Sequence, residues 1–87
     1  MEYKGITRYG FEFAIDSEAI DMELLDAIAK CDENSIFIGS VFERLLGSDQ
    51  KKAFYDSIRD EKGHVPPERA VECLNDFFES IKNGKNS

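Results

Sequence analysis

The chain predicts a mainly α domain of the α+β class: a short N-terminal β-hairpin followed by a compact four-helix assembly. Two observations carry this. Phe11, Phe13 and Ile15 alternate with Glu12, Ala14 and Asp16, the period of a half-buried strand. After them, apolar residues recur at helical spacing in several longer stretches separated by glycine, proline and capping residues. No repeat and no long linker divides the 87 residues, so residues 1–87 form a single domain. A chain of that size buries about 60–65% of the surface its unfolded form exposes. With 41% hydrophobic residues and seven phenylalanines it can fill one modest core.

The hairpin falls within residues 3–15, with residues 4–7 and 11–15 pairing across a turn at Arg8-Tyr9-Gly10. A lone two-stranded ribbon is marginal in water. Its aromatic face must therefore lie on helices or be shared with another chain, which leaves room for a homo-oligomer. Residues 16–20 read as a turn or a single helical turn. Asp21 caps a first helix over 21–31, burying Leu24, Leu25 and Ile28. Asn34 or Ser35 caps a second over 36–46. Gly47 suits a left-handed helix end, and Ser48 an N-cap for a third helix over 49–59, so these two helices form an α-hairpin with almost no linker. Phe54 and Ile58 point inward on the third helix, whereas Lys51 and Lys52 are expected in solvent. Pro67 occupies the first position of a fourth helix over 67–82. Its apolar stripe is Ala70, Val71, Leu74, Phe77, Phe78 and Ile81, and residues 83–87 read as a frayed tail.

The formal charge of −7 disfavours nucleic acid, whose phosphates would be repelled. It suits a basic protein partner or mimicry of a polyanion, although a solvated acidic helix face is the plainer reading of the acid-rich residues 16–43. Cys31 and Cys73 lack CxxC spacing and fit helix packing. No cationic leader followed by an apolar run is present, and no apolar run reaches membrane-spanning length, so the expected location is the cytoplasm of whatever cell makes the protein.

Chemistry is sparse. With Gly63 placed at the invariant glycine of a calcium loop, Ile58 and Arg69 would fall at ligand positions that need oxygen. His64 has no second ligand at zinc spacing. There is no Gly-rich phosphate loop, and the serines sit mostly at caps. No enzyme activity, cofactor or metal is expected, and function must reside in surfaces.

The order Leu45-Leu46-Gly47-x-x-Gln50-Lys51-Lys52-x-x-Tyr55-x-x-x-Arg59-Asp60-x-x-Gly63-x-Val65-Pro66 resembles the small tail assembly chaperones of siphophages and prophages of Gram-positive bacteria. The similarity extends to Gly10-Phe11-Glu12-Phe13, to residues 21–26 and to the amphipathic C-terminal helix, nearly the whole chain. Ser48-Asp49 departs from the pair of glutamates usual in that family. So does Ile36-Phe37-Ile38, which replaces a proline-containing entry. The resemblance implies a protein that binds the tape measure protein during tail tube assembly and is absent from the virion. It also implies, in members with a frameshifted extension, contact with the tail tube protein.

The stretch 36–46 is apolar beyond one face, which marks either the centre of the fold or an interface. The candidate partner-binding residues are Ile36, Phe37, Val41, Phe42, Leu46, Phe77 and Phe78. A second reading makes the protein a small acidic phage inhibitor or decoy that blocks a basic nucleic-acid-binding groove of a host protein. Salt separates the two, because apolar binding survives screening and polyanion mimicry does not.

Overall fold

The computed structural model describes residues 1–83, with only the backbone described at Ser35. Strands β1 (Glu2–Ile6) and β2 (Glu12–Asp16) lead through a 3-10 turn at Ser17–Ala19 into helix α1 (Met22–Glu33). A second 3-10 turn at Ser35–Phe37 opens α2 (Ile38–Ser57), and α3 (Pro67–Lys82) follows. The architecture is a two-stranded antiparallel hairpin packed on helices. The tail expected at 83–87 lies outside the described residues except for Asn83, which caps α3 by donating its N–H to the Glu79 carbonyl at 2.9 Å.

The hairpin turns where the alternation breaks. Gly10 takes φ 88°, the left-handed region that favours glycine, and donates to the Thr7 carbonyl at 2.9 Å. Tyr3 then pairs with Ile15 and Gly5 with Phe13. That parity turns Tyr3, Gly5, Phe13 and Ile15 toward the helices and leaves Glu2, Lys4, Ile6 and Glu12 outside. Gly5 lies close under α3. A Cβ there would come within 2.8 Å of both Phe13 Cζ and Ser80 Oγ.

Helix α1 starts as expected, with Asp21 Oδ1 accepting from the Leu24 N–H at 2.9 Å. Leu24 and Ala27 are buried, but Leu25 stands half-exposed, because the core meets a narrower stripe than the sequence suggested. Asn34 Oδ1 accepts from the Ile36 N–H at 3.2 Å, so Ile36 and Phe37 begin in a 3-10 turn instead of the predicted α-helix.

Among the described residues three helices are present instead of the four expected. The predicted 36–46 and 49–59 are one element, α2, whose only non-helical residue is Gly47 at φ 77°, ψ 165°. That conformation is not the left-handed helix end expected; it is an extended region reserved for glycine. One residue is too short for a connecting loop, yet it turns the chain back on itself. On a straight helix Phe42 and Phe54 would be about 18 Å apart along the axis. Their ring centroids are 4.9 Å apart. The two arms of α2 therefore pack on each other. Ser48 does not act as an N-cap: its hydroxyl donates to Glu43 Oε2 at 2.7 Å across the bend.

Between α2 and α3, Asp60 organises the turn. Its Oδ1 accepts from the N–H groups of Lys62 and His64, both at 2.9 Å, and Gly63 takes φ 85°. Arg69 reaches back from α3 to the carbonyls of Ile58 and Arg59 at 3.2 and 3.3 Å. Val71, expected on the apolar stripe of α3, is nearly half-exposed.

Phe54 and Phe77 centre the core. Phe54 meets Phe11 of the hairpin, Phe42 of the opposite arm and Phe77 of α3, with centroids 5.7, 4.9 and 5.2 Å away. Phe77 also packs edge-on to Phe13 at 4.7 Å. Among the described residues no buried side-chain polar atom lacks a partner.

Candidate functional site

Burial divides the candidate partner-binding residues into three groups. Val41, Phe42 and Phe77 are 0% exposed and Leu46 is buried with them, so these four belong to the core. Phe78 is half-buried against the same core. Ile36 and Phe37 remain, 76% and 41% exposed, on the 3-10 turn between α1 and α2. The apolar excess of 36–46 thus has two causes: the interior of a small domain and a short exposed corner.

Phe37 lines an open cleft of about 340 Å³ between α1 and α2. One wall is the α1 stripe Glu23, Asp26, Ala27 and Lys30, and the other is Phe37, Ser40 and Arg44. The spacing in both walls is that of one helix face. Arg44 crosses the cleft to Glu23 at 3.6 Å. Apolar surface from Ala27 and Phe37 is therefore framed by acids and bases of both signs. Such a site can seat an apolar side chain and pair with charges beside it.

Ser40 and Arg44 also line a second hollow, with Gly39, Glu43 and Lys51. Here Glu43 accepts from Ser48 and pairs with Lys51 at 3.4 Å. The Ser48 hydroxyl, with Lys51 adding to it, holds the Glu43 carboxyl below its ordinary value. Lys51 was expected in solvent; instead it is partly buried between Glu43 and the Tyr55 ring, 5.6 Å from its centroid. Lys52 is exposed.

Away from both clefts' lining residues, the hairpin turn is latched to α3. Asp76 accepts from the Arg8 guanidinium at 2.9 and 3.2 Å and from the Arg8 N–H at 3.1 Å. The Arg8 hydrogen bond holds the Asp76 carboxyl below its usual range. Tyr9 donates its hydroxyl to Glu72 at 2.5 Å, which raises the phenol, while Arg69 lies over its ring. Sequence spacing gave no signal of this latch. Cys73 sits beneath it, buried and unpaired, and burial pushes its thiol up.

Among the described residues no group of His, Cys, Asp and Glu could hold a metal ion. No described helix is long and apolar enough to cross a membrane. No family model, curated protein or solved structure matches this chain.

Proposed function

We propose that this protein is a phage tail assembly chaperone that binds an apolar helix of the tape measure protein at the Phe37 cleft while the tail tube forms. The observation that carries the reading is Phe37, a partly exposed aromatic lining a cleft with charged walls, next in sequence to the exposed Ile36. A helix entering a groove needs apolar anchors with polar groups beside them to set its register. The motif resemblance also supports it, and the acidic surface would keep an apolar client soluble. A bacterial cytoplasm, where tails assemble, follows as the place of action, and an extended form contacting the tail tube protein belongs to the same reading.

The test is capture from cells producing phage, with washes at low and high salt, using the wild type and Phe37→Ser. Recovery of a long helical tail protein that survives high salt and is lost from Phe37→Ser supports the proposal. A basic nucleic-acid-binding host protein that washes off with salt would instead favour the acidic decoy, for which the exposed Asp26, Asp32 and Glu33 of α1 would be the mimic.

A further inference from the structure

The two edges of the hairpin differ. On the β2 edge, both backbone groups of Ala14 are taken by the Gln50 carboxamide, at 3.0 Å from the N–H and 2.8 Å to the carbonyl. Ala14 therefore aims its N–H and C=O away from β1, and its partner Lys4 must aim its own off the opposite edge. The Thr7–Phe11 and Met1–Ser17 backbone bonds fix the same alternation. Glu2, Lys4 and Ile6 thus present N–H and C=O groups along the β1 edge, and no hydrogen bond among the described residues reaches them. The next outward N–H, that of Arg8, is closed by Asp76. The open stretch is β1 itself.

We propose that this edge is a self-association site. Two copies pair their β1 strands antiparallel about a two-fold axis at Tyr3, with Glu2 of each opposite Lys4 of the other. An unpaired strand edge is a template for another strand, and the charges select which one. Glu2 and Lys4 lie 3.8 Å apart on the outer face, with about half of each side chain in water. In the register centred on Tyr3 their alternation is self-complementary, which gives two opposite-charge cross-strand pairs and four backbone hydrogen bonds. A register centred on Lys4 would set the two lysines against each other. On the inner face, half-buried Tyr3 meets Tyr3 of the second copy. Met1, 68% exposed, comes opposite a glycine, Gly5 of the second copy. The site is separate from the Phe37 cleft, and its test does not depend on the tail-assembly reading.

Sedimentation velocity on the full chain, up to millimolar concentration, reads the result. The wild type should reach a dimer. Lys4→Pro removes an outward N–H that the hairpin does not use, so the dimer should be lost while the helical circular dichroism stays. Glu2→Lys alone and Lys4→Glu alone should each weaken the dimer at least about tenfold by placing like charges opposite each other. Their double exchange, and an equimolar mixture of the two single variants, should restore it. A wild type that stays monomeric at the highest concentration overturns the proposal. So does a dimer unchanged in Lys4→Pro, or a double exchange that fails to recover association.

Discussion

Gln50 pairs with Ala14 as a neighbouring strand would. Its Oε1 accepts from the Ala14 N–H at 3.0 Å, and its Nε2 donates to the Ala14 carbonyl at 2.8 Å and to Leu46 at 3.0 Å. One side chain thus ties the second arm of α2 to the hairpin and takes both outward backbone groups of Ala14 on the β2 edge. Gln50→Ala leaves two partly buried backbone groups without partners and should cost about 1–2 kcal/mol. Gln50→Glu keeps the acceptor but sets a carboxylate oxygen against two carbonyls, and should cost at least as much at neutral pH. Urea unfolding of both variants checks this.

Gly47 and Gly5 should both resist alanine, for different reasons. At Gly47 nothing stands within 4 Å of a Cβ, so the cost is backbone conformation alone, about 1–3 kcal/mol. At Gly5 the obstacle is contact with Phe13 and Ser80, also about 1–3 kcal/mol. Combining each with Ser80→Ala distinguishes them. The pair with Gly5→Ala should fall short of additive, because the crowding Oγ is gone, whereas the pair with Gly47→Ala should add.

The latch predicts a pH dependence. Asp76 is held below its ordinary carboxylate value by Arg8, so it releases its proton more readily folded than unfolded. Its contribution is complete above the ordinary value and fades as pH falls through the lower folded one. Asp76→Asn should lower the melting temperature at neutral pH. The gap to wild type should close as acid protonates Asp76 in the native protein. A gap of constant size down to strong acid would show that the latch is not ionic.

Phe42 and Phe37 should respond oppositely to serine. Phe42 is fully buried among three aromatic rings, and Phe42→Ser should cost about 3–5 kcal/mol, enough to threaten folding. Phe37→Ser should change stability by less than about 1 kcal/mol. Thermal melts of the two variants check the difference and validate Phe37→Ser as a binding probe.

Local chemistry was legible in the sequence: the Gly10 turn, the Asp21 cap, Pro67 at the start of α3 and the approximate spans of the elements. Their causes lie within a few residues. The Gly47 joint was legible only in part, since glycine announces a break but not the conformation taken or that one residue suffices. Gln50–Ala14 and Arg8–Asp76 join distant parts of the chain, and no periodicity encodes such pairs. The candidate surface suffered most. Apolar excess looks alike whether a residue fills a small core, as Phe42 and Phe77 do, or stands at a corner, as Ile36 does. Leu25 and Val71 erred in the opposite direction, because a helical stripe says which residues could face inward but not how wide the neighbour is.

The packing of Phe13 against Phe77, and of Arg8 against Asp76, bears on how the chain acquires its shape. The elements that meet there lie near opposite ends of the described chain, so the inner face of the hairpin, met at Phe11 by Phe54 of α2, must still wait for α3 before Phe13 is covered. Contacts of such long sequence separation slow folding, and during synthesis they expose the early partner until the late one emerges. The first apolar face this chain makes is the last to be closed.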